Sequence, residues 1–150
     1  MKKTILATAV ILMVGLTGAF ANKGEEVNQK VAASFSKDFE TAKNVQWQRQ
    51  KDFEKATFSL NNQVLFAYYN ENGELLAVIR NILSDNLPIS LYADIRKNYN
   101  EFWISDLFEM ASEDQTTYYI SLEKTDETLI LKSVDHNQWV VYKKIKKNII

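Results

Sequence analysis

Residues 64–80, VLFAYYNENGELLAVIR, read as two strands around an Asn-Gly turn, and both sides of each strand are apolar. Side chains alternate across a strand. Phe66 and Tyr68 therefore share one side with Leu75, Ala77 and Ile79, while Leu65, Ala67 and Tyr69 share the other with Leu76, Val78 and Arg80. An antiparallel sheet with one wet side shows polar residues in one of these sets. Neither set is polar here, so a fold containing this hairpin must cover it twice. A two-residue type I′ turn at Asn72-Gly73 sets Glu71 against Glu74, a mildly unfavourable pair. A four-residue loop, Asn70 to Gly73, avoids that pair and leaves the sides unchanged.

The flanking sequence supplies the cover for one side. Val27, Val31, Phe35 and Phe39 recur every four residues beside Ala32 and Ala42, which predicts a helix from about Glu25 to Lys43. Glu25 and Glu26 in its first turn and Lys43 in its last complement the helix dipole, and Asn44 is its expected stop. VQWQR (45–49) and ATFSL (56–60) alternate as strands, and the hairpin completes a set of four. A second helix is predicted near Pro88, with Leu91, Ile95 and Tyr99 as its stripe and Tyr92 adjoining. Four more strands follow at about 104–110, 117–123, 128–134 and 139–145. The order helix-β-β-β-β thus occurs twice. Phe35 and Phe39 align with Ile95 and Tyr99 at an offset of 60, and NENGELL (70–76) aligns with DHNQWVV (135–141) at 65. That period is too long for the common solenoids and points to a duplicated α+β unit.

Lys2 and Lys3 precede an uncharged run, Thr4 to Ala21, ending in Ala19-Phe20-Ala21, the layout of a secretory signal peptide cleaved after Ala21. The competing reading is an uncleaved anchor, for which a run of about 18 residues is short. The chain has no cysteine, which excludes a lipid-modified cleavage site and any disulfide framework, so core packing must do the stabilising. Without residues 1–21, 129 of the 150 residues remain, with 16 basic against 19 acidic side chains and a formal charge near −3. That suits one domain and gives no electrostatic footprint for nucleic acid.

Phe35-x3-Phe39, NVQW (44–47), ATFSL (56–60), YYNENGELL (68–76), Leu87-Pro88 and IRKNY (95–99) follow one another in an order that resembles the β-lactamase-inhibitor-like, PepSY-like family of exported bacterial proteins. The resemblance runs from about Val31 to Ile145. It implies an α+β fold of two tandem helix-plus-four-strand antiparallel units, about 25–83 and 84–146 of a single domain 22–150, with the helices packed on one face of the sheet. It carries over no catalytic residue. It carries over no inhibition of a β-lactamase either, because the inhibitor that names the family is stapled by disulfides.

Chemistry finds little purchase. His136 is the only histidine and falls in a predicted turn, so a zinc site would need carboxylates almost alone. There is no nucleophile elbow and no glycine-rich phosphate loop. NENGE (70–74) resembles a calcium loop but lacks its aspartates and distal glutamate. Asp106, Glu109, Glu113 and Asp114 read as a solvated face, and the lysines of YKKIKKN (142–148) as protection of a terminal edge strand. The expectation is therefore a non-enzymatic, exported binding domain, periplasmic or secreted, without cofactor or metal. Its partner would be an envelope or extracellular protein or peptide, and inhibition or modulation of an enzyme is one form such binding could take. Large aromatic side chains suit recognition, and the expected contacts are Trp47, Tyr69, Tyr119, Trp139 and Tyr142. A homodimer mate could instead cover the second side of the hairpin. The alternative function is a periplasmic small-ligand carrier or sensor, with the ligand held between sheet and helices.

Overall fold

The structure, a computed structural model, describes residues 27–147. The expected signal peptide and the first-turn residues Glu25 and Glu26 lie outside that range. Among the described residues are helix α1 (Gln29–Asp38), strands β1 (Lys43–Arg49), β2 (Glu54–Leu60), β3 (Gln63–Tyr69) and β4 (Leu75–Asn81), helix α2 (Ile89–Asn98), and strands β5 (Trp103–Ala111), β6 (Thr116–Glu123), β7 (Glu127–Ser133) and β8 (Val140–Lys146). A 3₁₀ turn, Ser84–Asn86, precedes α2 and was not anticipated. The strands form one open eight-stranded sheet in chain order, with antiparallel pairing. Short turns dictate this everywhere except between β4 and β5, which residues 82–102 connect through α2. The α+β class expected from the sequence is the class found. Contacts divide the chain into two units, 27–62 with 66–76, and 63–65 with 77–147.

In the first unit α1 is shorter than its apolar stripe. Asn28 caps its start, with the side chain accepting from Lys30 N at 2.9 Å. The helix ends at Asp38 rather than Lys43, because Phe39 leaves helical geometry at φ −135° and Lys43 already opens β1. Asn44 is not the helix stop. It sits at φ 55° where the β1–β2 register slips between Lys43 and Gln46, a left-handed residue serving a bulge. Phe35 anchors the core on this side, with ring centroids 5.0 Å from Phe58, 5.1 Å from Trp47, 5.3 Å from Phe39 and 6.4 Å from Tyr69. Glu54 is buried yet fully engaged. It accepts from Asn28 N at 3.1 Å and from Arg49 Nε and Nη2 at 3.2 and 3.0 Å, which fastens the start of α1 to the first hairpin.

The β3–β4 connection uses neither expected loop but a three-residue one, Glu71 to Gly73, closed by Asn70 and Glu74. Gly73 N donates to Asn70 O at 3.0 Å and Asn70 N to Glu74 O at 3.1 Å, so the chain makes a turn with Gly73 left-handed at φ 83°. Asn72 is not among the residues with positive φ, and the two-residue I′ turn is instead Asn61-Asn62, at φ 50° and 63°. The 70–73 turn docks on α1. A Cβ at Gly73 would lie 2.9 Å from both Lys30 O and Ser34 Oγ, and Asn28 Nδ2 donates to Glu71 O at 3.0 Å.

In the second unit Leu87, Leu91 and Ile95 pack with Leu107, Tyr118, Ile120, Leu122, Leu129, Leu131 and Trp139 in one buried cluster. Each such aliphatic side chain contributes about 1.5–3 kcal/mol on burial. The 135–138 turn docks on α2 without a glycine. Asp135 Oδ1 accepts from Asn137 N at 3.0 Å and Gln138 N at 3.3 Å, and His136 takes the left-handed position at φ 61°. Ser90 Oγ donates to His136 O at 2.6 Å, while Trp139 N donates to Asp94 Oδ2 at 3.2 Å.

Two outcomes test these joints. Gly73→Ala should destabilise the protein by about 2 kcal/mol or more, combining a left-handed alanine with a steric clash on the α1 backbone. An unchanged urea midpoint would show that the turn is not docked as described. The second concerns acid. Glu127 is held below its usual carboxyl range by Lys124 and Lys144, and Glu123 chiefly by Lys147. The folded state then binds these protons less readily than the unfolded chain, so the stabilisation is whole above the ordinary value of 4.5 and drains away as pH falls through the lowered values. Urea midpoints measured from pH 7 downwards should drop below that point, and Glu127→Gln should flatten the drop. An identical pH profile in the variant would assign the acid sensitivity elsewhere.

Candidate functional site

The side of the second unit turned away from α2 concentrates the groups that could recognise a partner. Tyr118, Ile120 and Leu122 point into the α2 cluster, so Thr117, Tyr119 and Ser121 point the other way. Directly paired residues share a side, and the register therefore continues each of these across the strands. One row is Ile79, Met110 and Thr117. The next is Asn81, Phe108, Tyr119, Lys132 and Val140, and the third is Asp106, Ser121, Ile130 and Lys143.

Aromatic contacts run along the middle row. Phe108 and Tyr119 stack at 5.1 Å and 16°, and Tyr142 meets Tyr119 edge-on at 5.9 Å and 84°. A register slip between Ile130 and Leu131 on β7 leaves Tyr142 outside the paired positions of β8, which lets its ring reach Tyr119. Lys132 Nζ lies 5.2 Å from the Tyr142 ring centroid, a cation–π distance. Phe108, Met110, Tyr119 and Ile130 are each at most 5% exposed, while Lys132 and Tyr142 form a half-exposed rim. Burial raises the Tyr119 phenol and the Asp106 carboxyl above their usual ranges, the charge of Tyr142 adding to the former. Thr117 Oγ1 and Ser121 Oγ, two positions either side of Tyr119, are buried without a hydrogen-bond partner among the described residues. Leaving such a hydroxyl unpaired costs about 1–3 kcal/mol.

Of the five residues expected to make contacts, the structure brings Tyr119 and Tyr142 together on this side. Trp47 lies on the α1 side of β1, half-buried against Phe35. Tyr69 is fully buried, donating to Asp38 Oδ2 at 2.9 Å, and burial with Asp38 beside it raises its phenol. Trp139 is buried in the α2 cluster, its Nε1 donating to Leu91 O at 3.0 Å. Phe108, Lys132, Thr117 and Ser121 escaped the sequence reading. The alternation around Tyr119 was visible, but which alternate set faces the helix was not.

Other polar groups are scattered or occupied. Glu109 pairs with Arg80 at 3.1 Å and hydrogen-bonds Tyr118, whereas Glu113 and Asp114 are exposed in the β5–β6 turn. His136 Nε2 lies 3.0 Å from Thr116 O and must therefore carry the donated proton. A surface groove of about 530 Å³ lies between α2 and the 137–139 segment, lined by Asp94, Lys97, Asn98 and Tyr99 among others. The space between α2 and the sheet is occupied by the side chains of the buried cluster. Among the described residues no group of three or more His, Asp or Glu side chains is placed to hold a metal ion, and no helix is long and apolar enough to cross a membrane.

No family model matches the sequence, and no curated protein matches it. Solved structures do. A DUF2874 family protein from Bacteroides ovatus superposes with a TM-score of 0.72 at 16% identity, covering 82% of this chain and 89% of that one. A protein from Bacteroides eggerthii described as periplasmic gives 0.72 at 12% identity, covering 81% and 90%. A BLIP-like protein from Bacteroides fragilis gives 0.71 at 13%, covering 87% and 92%. At such identities the likeness is one of fold. It bears out the β-lactamase-inhibitor-like half of the expected resemblance: the chain has the BLIP-like fold shared with these DUF2874 and periplasmic proteins.

Proposed function

We propose that this chain is an exported, non-enzymatic binding domain that recognises a protein or peptide partner through the side of its second unit opposite α2. The observation that carries this reading is the half-exposed Lys132–Tyr142 rim over the Phe108–Tyr119 stack, beside Thr117 Oγ1 and Ser121 Oγ, two hydroxyls buried without a hydrogen-bond partner among the described residues. The stacked rings, 4% and 5% exposed, back this side of the sheet rather than forming its contact area, and the Tyr142 ring beside them is the aromatic surface within a partner's reach. Lys132 and Tyr142 are the rim from which contact would start.

Export rests on the signal-like residues 1–21 and accords with the periplasmic description of one structural neighbour. The PepSY-like relationship and the tandem origin belong to the same reading. In support, α1 and α2 begin at residues 29 and 89 and β4 and β8 at 75 and 140, the offsets of 60 and 65 visible in the sequence. The absence of chemistry is supported by the duties of the ionisable side chains, since Glu54, Asp94, Glu109, Asp135 and His136 each hold a structural hydrogen bond.

The test is capture from envelope extract by wild-type protein and by Thr117→Val/Ser121→Ala, read by mass spectrometry beside the melting curves. The variant should melt at or above the wild-type temperature, because it removes unsatisfied hydroxyls, and should lose the partner that wild type enriches. Equal enrichment by both proteins would sink the reading.

A further inference from the structure

The two edges of the open sheet are guarded unequally. β8 carries Lys143, Lys144 and Lys146 with Lys147 just beyond, the usual defence against edge-to-edge pairing. β1 has a neighbour only in β2 among the described residues, and its stretch Val45-Gln46-Trp47-Gln48 holds neither charge nor proline. Gln50 N donates to Phe53 O at 2.8 Å, which makes that pair a hydrogen-bonded one. By alternation Gln48–Lys55 and Gln46–Thr57 are hydrogen-bonded too, so Trp47 and Arg49 turn their backbone N–H and C=O groups outward from the sheet.

We propose that this chain dimerises with a second copy through β1, antiparallel, about a two-fold axis at Trp47. In that register Trp47 exchanges hydrogen bonds with the second copy's Trp47, Val45 faces Arg49, and Gln46 faces Gln48. That register alone pairs all three outward-facing residues, Val45, Trp47 and Arg49, whereas centring on Gln46 pairs only Val45 and Trp47. Centring on Arg49 would oppose two arginines, and centring on Gln48 would leave a hydrogen-bonding pair unused. Arg49 tolerates an apolar neighbour because Glu54 neutralises it at 3.0 Å. The bulge at Asn44 marks the end of the flat segment, so the added strand covers 45–49 and stops. Val45, 37% exposed, and the half-buried Trp47 gain an apolar cover on the α1 side. This pairing uses the strand edge and is independent of the sheet-side reading above.

Sedimentation velocity across the micromolar range tests it with two charge variants at exposed glutamines. Wild type should sediment as a concentration-dependent dimer. Gln46→Lys/Gln48→Lys sets lysine against lysine at each end of the pairing and should weaken the dimer by about tenfold or more. Gln46→Lys/Gln48→Glu sets lysine against glutamate and should dimerise at least as tightly as wild type. Circular dichroism melts of all three proteins establish that each is folded. A monomeric wild type overturns the proposal, as does a glutamate variant no tighter than the double lysine.

Discussion

Strands β3, β5, β6 and β7 bury side chains pointing to both sides of the sheet, and water wets neither side at low cost. Phe58 and Tyr69 face α1, while Tyr68 turns away with Phe53 at 5.4 Å and Lys55 over its ring at 5.9 Å. Tyr118, Ile120 and Leu122 face α2, while Thr117, Tyr119 and Ser121 turn away and are just as buried. A wet-sided sheet would place charges at the second set of positions. Here Lys55 and Lys132 lie as lids over aromatic rings, their ammonium groups on the ring faces, and Asp106 and Lys143 are the other charges in the three rows of the second unit's far side. Two-sided burial is the constraint to which the helices, turns and edges answer.

The helices answer it with ten residues each, and such short helices need tertiary contacts to persist. Each is held by a β-turn laid on its flank, and the two turns do it differently. At Gly73 the backbone itself comes within touching distance of Lys30 and Ser34, which only glycine allows. At the matching place in the second unit side chains span the gap, Ser90 to the His136 carbonyl and Asp94 to the Trp139 amide. Asp135 meanwhile repeats what Asn70 does in the first turn, since Asn70 Oδ1 accepts from Asn72 N and Glu74 N at 3.0 Å. The missing glycine of the DHNQ turn is thus replaced by hydrogen bonds rather than by a lost contact.

Much of this was legible in the residues. The α2 stripe of Leu91, Ile95 and Tyr99 and the alternation of β5 to β8 set their elements to within a residue or two, because packing and periodicity agree there. α1 was read too long because Phe39 keeps the four-residue period after the helix has ended: its ring still packs on Phe35 and Phe58 from a non-helical backbone. The Asn-Gly turn was misleading for a similar reason. Asn72-Gly73 suits a type I′ turn in isolation, but docking on α1 selects the loop that puts Gly73 alone at positive φ. Among the aromatic residues, periodicity could not separate Tyr69 and Trp139, whose polar atoms are satisfied inside the cores, from Tyr119 and Tyr142 on the other side. That distinction depends on which face the helix takes, and a two-sided apolar strand does not encode it.

Hydrogen-bond accounting then narrows where function can reside. The polar side chains at the joints are all in use: Asn28 and Glu54 at the start of α1, Asp38 on Tyr69, Asp94 and Asp135 at the second turn, Glu109 between Arg80 and Tyr118. Thr117 and Ser121 stand apart as buried hydroxyls without partners among the described residues. Their stability cost buys nothing within the second unit, where valine and alanine would fill the same space without it. Two hydroxyls kept at such a cost beside a stacked aromatic pair single out the β5–β7 side opposite α2, rather than the polar groove beside that helix, as the place where the proposed recognition is to be tested.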